Sequence, residues 1–536
     1  MKLLMHPAVS ALGLSTLCCL VLIAPLVSRA HLAVYHSSGS VTSIFLAVLL
    51  DWFSLWLFLT GLLLFAQRYP RAWVATWVGL IFMSPWVLLK EGAKLQAWSF
   101  PHWLSIAFFF GSGLCLAVVA IFWRPVFLPA FQRIQHFAAT LFGFAGIFAA
   151  IVLSQFLWSF WQTRGLNTPI PLRHRLLETA GSLSRPKPRV IWIVLDELSY
   201  RQVYERRFTG LNLPAFDLLA KQSTIFTHAV PAGILTENVL PSLITGLPVD
   251  HIRSSADGGR LSLHNPVSNQ WQPFLQHETI FQDALNAGYS TAVAGWHNPY
   301  CRILPQVLDR CYWTMHQLYS EGLNGDVSVA GDAVMPLQRM LESSSELIRS
   351  SDRVQPVDRQ GAELHIGDYR NLLEAGDQRL EDASTDFLLL HMPVPHPNGI
   401  YDRRTGAFAT NGGSYIDNLA LADQYLGHVY QLLKQRDAWD SSTVLIMGDH
   451  SWRTQFWAGS SMWTAEEQTA SQGGQFDDRP AYIVKMPEQN QAARIETPFP
   501  AICTRTLLQG VLSGRIQSAE DVAEFAKEHQ APCAVG

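Results

Sequence analysis

The chain has 536 residues, 49% hydrophobic and 15% charged, with a mean hydropathy of +0.12 and a formal net charge of −4. That balance is too apolar for an ordinary soluble protein, and its acidic sign excludes the basic footprint of a nucleic-acid binder. The cysteines include no CxxC pair, which excludes a thiolate zinc finger.

The apolar excess lies in the first third. Five runs of roughly 20 residues, the length that crosses a bilayer, occupy 9–27, 44–66, 72–89, 104–123 and 137–160. Trp52, Trp73, Trp86, Trp103, Trp123, Trp158 and Trp161 crowd their ends, as interfacial aromatic belts do. Residues 1–161 are therefore expected to form a transmembrane domain of about five helices. Arg68 and Arg71, and Arg124 and Arg133, favour the cytoplasm for two short loops; Lys90 and Lys94 beside Glu91 make the bias modest. An odd number of spans then carries everything after Trp161 to the outer side. The first run reads alternatively as a signal peptide with Ser28-Arg29-Ala30 as its cleavage site, which leaves the large domain on that same side. Asp51, about two turns into the second run, is expected to pair with a neighbouring span or to meet a lipid head group.

Residues 162–188 read as an interfacial helix, "LRHRLLETA", and an extended polar linker, "SLSRPKPR". From 189 to 536 strand and helix signals alternate. "RVIWIVLD" is a strand buried on both faces, "LPAFDLLAKQ" a helix and "STIFTHAV" a strand. "TENVLPSLITG" is a short helix ended by Gly246, and "ETIFQDALNAGYSTAVAGW" reads as helix, glycine stop, strand. "DFLLLHMPVPHP" is a strand entering a proline-rich turn, and "IDNLALADQYLGHVYQLLKQR" a helix. "STVLIMGDHS" and "RPAYIVKMP" are further strands, and 459–478 is either a lid or an uninvolved surface loop. The fold class that follows is an α/β domain with a mostly parallel central sheet covered by helices on both faces. Ligands of such sheets bind beyond the carboxyl ends of the strands. Cys18, Cys19 and Cys115 lie in apolar runs as packing residues. Cys301, Cys311, Cys503 and Cys533 allow three pairings, of which Cys301–Cys311 with Cys503–Cys533 keeps the loops shortest.

Polar clusters sit where these strands end: Asp196-Glu197, His391 to His396, and Asp449-His450. Each alone has a bland explanation, an acidic helix cap or a hydrogen-bonded structural histidine. Thr236 likewise reads either as a helix cap or as a hydroxyl nucleophile at the positive end of a helix. Two acidic groups, a histidine and a hydroxyl on one sheet edge make a mixed oxygen and nitrogen site for a divalent cation. His297 and His396 suit contact with a phosphoryl group or protonation of a leaving oxygen, or a structural role.

Through "IWIVLDELSY", "TENVLPSLITG", "HMPVPHP" and "VLIMGDHS" the chain resembles the alkaline-phosphatase/sulfatase superfamily over nearly all of 189–514. The resemblance puts Thr236 at the nucleophile position and Asp196, Glu197, Asp449 and His450, with Thr236, around the metal. His297, His391 and His396 fall to substrate binding. The departures matter: Thr236 replaces the formylglycine precursor of sulfatases, no "PSR" follows it, and "AVAGWHNPYC" has no lysine before Trp296. "DQYLGH" is one residue too long for the D-x-x-x-H of two-metal phosphodiesterases, so one metal is expected.

A threonine nucleophile behind several spans is similar to the membrane phosphoethanolamine and phosphoglycerol transferases. That resemblance implies a multi-pass protein of the bacterial inner membrane with a periplasmic catalytic domain. It also implies one divalent ion, zinc first, with manganese, calcium or magnesium as alternatives. The partners implied are membrane lipids, a phospholipid donor and a glycan or lipid acceptor, and no nucleic acid. Asp-Glu in the first motif instead suits a membrane-anchored hydrolase of phosphate or sulfate esters, and a third reading is a catalytically dead scaffold.

Overall fold

A computed structural model of the protein describes residues 6–95, 110–114, 124–166, 171–173, 187–315, 329–331, 333–334, 356–397, 399–458, 460, 462–531 and 533. They divide into two compact units, one within 1–34, 39–167 and 318–352, the other within 35–38, 168–317 and 353–536.

The first unit is helical. Helices α1 (Pro7–Cys18), α2 (Leu20–Val27), α3 (Val41–Ala66), α4 (Pro70–Leu95) and α5 (Arg124–Thr163) carry four of the five apolar runs. The first run is not one helix: it breaks at Cys19, and Pro25 lies inside α2. The run 104–123, with Cys115, falls outside the described residues except for 110–114, as does 174–186 of the expected interfacial helix and linker. Among the described residues two helices are long and apolar enough to cross a membrane, Val41–Ala66 and Pro129–Thr163. Only 28% of the apolar window of each is buried, and Phe58, Phe137 and Phe148 stand exposed on them. Glycine lets α1 and α5 touch backbone to backbone. A Cβ on Gly13 would lie 1.8 Å from the Phe142 carbonyl oxygen, and one on Gly146 2.6 Å from that of Val9. Asp51 is buried in this unit with its Oδ2 unpartnered among the described residues.

The second unit is built on one sheet. Its strands are β1 (Val190–Leu195), β2 (Thr224–Phe226), β3 (Thr291–Trp296), β4 (Arg310–Thr314), β5 (Phe387–Met392), β6 (Thr443–Gly448), β7 (Tyr482–Lys485) and β8 (Ala493–Ile495). They lie in the order β8-β2-β7-β6-β1-β5-β3-β4. Every neighbouring pair is parallel except the two that β7 makes, with β6 and β2. β7 thus meets both of its neighbours, β6 and β2, in the antiparallel sense inside an otherwise parallel sheet. All six residues of β1 are buried, as a central strand covered on both faces requires. Helices α6 (Pro214–Gln222), α9 (Pro356–Glu381) and α10 (Tyr415–Lys434) share the core that holds Ile193, Leu390 and Ile446. On the other face α8 (Ile280–Asn286) sets Phe281 against Phe387, with ring centroids 5.5 Å apart.

The register aligns the strand exits. Leu195 pairs with Gly448 on one side and Met392 on the other, so Asp196, Asp449 and the turn after β5 leave the same edge. Both disulfides form as the shortest-loop pairing expects, with Cα–Cα separations of 5.6 Å for Cys301–Cys311 and 5.2 Å for Cys503–Cys533. A three-stranded antiparallel sheet over His251–Ser254, Leu261–Asn265 and Gln270–Pro273 has no counterpart in the sequence reading, nor has α9.

Candidate active site

Thr236 opens helix α7 (Thr236–Thr245), which Gly246 ends in the left-handed conformation with φ 73°. Leu235 stands at the cap position, so Thr236 is the first helical residue and not the cap. Instead Thr236 Oγ1 donates to Asp196 Oδ2 at 3.2 Å and lies 3.2 Å from His450 Nε2. Asp196 follows β1 and Asp449 follows β6. Gly448 makes that second exit tight, because a Cβ there would lie 2.6 Å from the Leu198 carbonyl oxygen and 2.9 Å from that of His450. Asp449 Oδ1 accepts from the Glu197 N–H at 3.1 Å and the His450 N–H at 2.8 Å. One carboxylate oxygen thus fixes both strand ends.

The remaining polar atoms are aimed and unsatisfied. Asp196 Oδ1, Asp449 Oδ2 and His391 Nε2 are buried without a hydrogen-bond partner, although His450 Nε2 sits 3.1 Å from Asp449 Oδ2. Donor atoms of Asp196, His391 and Asp449 lie within 4.8 Å of one another. Burial and the facing Asp449 carboxylate push Asp196 well above the ordinary carboxylate range. Burial acts the same way on Asp449, but the His450 ring outweighs it and holds Asp449 below that range. For His450 burial lowers the pKa, and the Asp449 carboxylate more than reverses it. Two dry carboxylates with orphaned oxygens and adjoining imidazoles are the donor set of a zinc-class divalent ion. The residues fit the metal that the resemblance implies. His450 Nδ1–H donates to the Ser451 carbonyl at 3.2 Å, which leaves the Nε2 lone pair facing the cluster.

Other expected residues take different places. Glu197, expected among the ligands, holds φ 63° and engages its carboxylate with Arg453 and Trp457. It accepts from Arg453 Nε at 2.7 Å, the Arg453 N–H at 3.1 Å and Trp457 Nε1 at 3.1 Å. Ligand atoms of Asp196, Glu197 and His396 also lie within 4.8 Å of one another, so Glu197 anchors Arg453 while its carboxylate adjoins the metal cluster. His391, expected at the substrate, instead joins the carboxylates: its Nε2 lies 4.0 Å from Asp196 Oδ2 while Tyr300 Oη holds Nδ1 at 2.9 Å. Burial pushes its pKa down to about 4. His396 keeps Nδ1–H on the Pro397 carbonyl at 2.8 Å, with Nε2 at 3.5 Å from Arg453. His297 follows β3 with φ 67°, a conformation uncommon for non-glycine residues. Arg453, Trp457 and Tyr300 escaped the sequence reading; Arg453 stands three residues after His450, and that proximity was the available signal.

Asp423 and His428 of "DQYLGH" have structural roles, in keeping with the expectation that they form no metal motif. Asp423 accepts from the Phe216 N–H at 2.9 Å at the start of α6, and His428 pairs with Asp377 at 2.9 Å. Within the described residues of 459–478, 462–478 contain α11 (Ala465–Ala470), whose Glu466 pairs with Arg403 at 2.7 Å and whose Glu467 accepts from the Tyr415 N–H at 2.8 Å.

Residues 190–462 match the family model described as type I phosphodiesterase / nucleotide pyrophosphatase. No curated protein sequence matches the chain. Among solved structures it is similar to Ps i-CgsB bound to k-i-k-neocarrahexaose, at 16% identity over 64% of this chain and 77% of that one, with a TM-score of 0.40. It is also similar to the phosphonate monoester hydrolase of Agrobacterium radiobacter (16% identity, 61% and 74% covered, TM-score 0.37). The lipoteichoic acid synthase LtaP from Listeria monocytogenes is a third such likeness (15% identity, 61% and 72% covered, TM-score 0.36).

Proposed function

Because the chain belongs to the type I phosphodiesterase / nucleotide pyrophosphatase family, a phosphoester hydrolase or transferase of the alkaline-phosphatase superfamily, we propose that it transfers a phospholipid-derived phosphoryl head group. The acceptor is a glycan or lipid, and the carrier is a covalent intermediate on Thr236. The observation that carries this reading is the Thr236 hydroxyl, held 3.2 Å from both Asp196 and His450.

In the first half-reaction Thr236 Oγ attacks the donor phosphorus, and the lipid oxygen leaves and takes up a proton. In the second, an acceptor hydroxyl attacks the same phosphorus, loses its proton, and Thr236 Oγ departs. A divalent ion held by Asp196, His391 and Asp449 would, when bound, supply charge neutralisation at the phosphoryl oxygens and a lowered pKa for the hydroxyl. Asp196 accepts the Thr236 proton's hydrogen bond and orients the oxygen, while Arg453, pinned by Glu197, brings a fixed positive charge to the rim.

We read the first unit as a multi-pass anchor in a bacterial inner membrane, with the second unit on the periplasmic side. Support comes from the five apolar runs, the exposed faces of α3 and α5, and two disulfides, which persist in oxidising compartments. A phospholipid donor needs a site held at the head-group layer, which a single soluble domain does not provide. The family description favours a second reading, a membrane-anchored hydrolase of phosphate or sulfate esters. Full-length protein in detergent, given mass-tagged phosphatidylethanolamine or phosphatidylglycerol and an acceptor extract, separates the two. Tagged acceptor is expected; water-derived products alone, or faster cleavage of sulfate esters, establish the hydrolase.

A further inference from the structure

Beside the nucleophile lies a second group of donors that the Asp196–Asp449 cluster does not use. We propose that His36, Glu237 and His297 form a separate site for a zinc-class divalent cation. A ring nitrogen of each histidine and a carboxylate oxygen of Glu237 lie within 4.8 Å of one another. His36 is only 6% exposed, and its Nδ1–H donates to the His297 carbonyl at 3.2 Å. A carbonyl can only accept, so the proton is on Nδ1 and the Nε2 lone pair is left over. That Nε2 is buried with no hydrogen-bond partner, as is Nδ1 of His297. The nearest anion to His36 Nε2 is Glu237 Oε2 at 3.7 Å, beyond hydrogen-bond reach. Two buried imidazole nitrogens without a hydrogen-bond partner in a group that also holds a carboxylate are costly as they stand, and one cation would satisfy them.

The segment that supplies His36 is fixed rather than draped. Arg302 donates to the Tyr35 carbonyl at 3.3 Å and to the Ser37 carbonyl at 2.7 Å. Ser38 exchanges hydrogen bonds with the Met315 backbone at 2.9 and 3.0 Å. A hydrogen bond from the far nitrogen of a histidine to a carbonyl is how metal-binding imidazoles are oriented. Two histidines and one carboxylate leave coordination positions open to a ligand oxygen. Glu237 directly follows Thr236 on α7, so an oxygen held there belongs to a group entering the nucleophile's site. The donors are not Asp423 and His428 of "DQYLGH", which have structural roles.

The test is metal content of the full-length protein in detergent, stripped with chelator, reloaded with zinc and measured by elemental analysis. Wild type should hold two equivalents, and His36→Ala and Glu237→Gln one each; Asp449→Asn should lose the other equivalent and keep this one. Cobalt(II) loading adds a spectrum: the band that persists in Asp449→Asn should vanish in Asp449→Asn/Glu237→Gln. Glu237→Gln is isosteric and guards against misfolding, which thermal unfolding checks directly. Unchanged metal content and cobalt spectrum in His36→Ala and Glu237→Gln would overturn the site. One equivalent in wild type that only Asp449→Asn removes would overturn it too, while leaving the catalytic cluster standing.

Discussion

A threonine at a helix start usually spends its hydroxyl on the backbone, and that of Thr236 faces Asp196 and His450. Thr236→Ala should therefore cost turnover, roughly 10⁴-fold or more, with little loss of stability, while Thr236→Ser retains part of the rate. Steady-state assays beside thermal unfolding check it, and an active Ala variant moves the nucleophile elsewhere. Asp449→Asn keeps an acceptor for the Glu197 N–H but replaces the unpartnered carboxylate oxygen with an amide NH2, so metal affinity and activity should fall together, by more than about 100-fold. A different behaviour belongs to Asp423, whose carboxyl burial raises to about 6. The native state then binds its proton more tightly than the unfolded chain does, at ~3.9. The stability so gained is present below pH ~4 and is lost as the pH rises through about 6. Asp423→Asn keeps an acceptor for the Phe216 N–H, so it should stabilise at pH 7.5 by on the order of 1–2 kcal/mol, with the gain shrinking below pH 5. Thermal melts at the two pH values decide; an equal gain at both contradicts the burial argument.

At the scale of elements, the strand exits depend on glycine at one place. Gly448→Ala would drive a Cβ into two backbone oxygens, neither the end of a flexible side chain. It should destabilise by roughly 1–3 kcal/mol and displace the Asp449-His450 pair, lowering metal content with every ligand still encoded. Retention of full metal content would mean that the exit tolerates the shift. This also shows what was readable beforehand. β1, β5 and β6 announce themselves as apolar runs, β-branched in β1 and β6, that lead into or carry Asp or His, because a strand buried on both faces has no polar alternation to confuse it. The direction of β7 was not readable, since an isolated apolar run carries no sign of which neighbour it will meet. Nor was the pairing of Glu197 with Arg453, which joins positions 256 residues apart. His36 was hidden for the same reason: it lies in a short stretch between apolar runs, and only the fold sets it against His297.

For the whole molecule, two lines of physics meet in one chain: apolar helices that water does not favour, and a disulfide-stapled α/β unit with a dry carboxylate cluster. The Cys301–Cys311 loop ties the Tyr300 turn, and so the His391 ring, to β4. By loop closure alone that bond contributes about 2–3 kcal/mol. Cys301→Ser/Cys311→Ser should lower the unfolding midpoint accordingly, and an unchanged midpoint would mean that the loop is already fixed by its packing. The central claim is that phosphoryl groups pass through Thr236. Its most direct test is peptide mass spectrometry of full-length protein quenched in acid after seconds with phosphatidylethanolamine and zinc, without acceptor. A mass increase of one phosphoethanolamine group on the peptide containing Thr236, absent from Thr236→Ala, is the predicted result. Turnover of the donor with no adduct on that peptide, or an adduct that survives in Thr236→Ala, would contradict it.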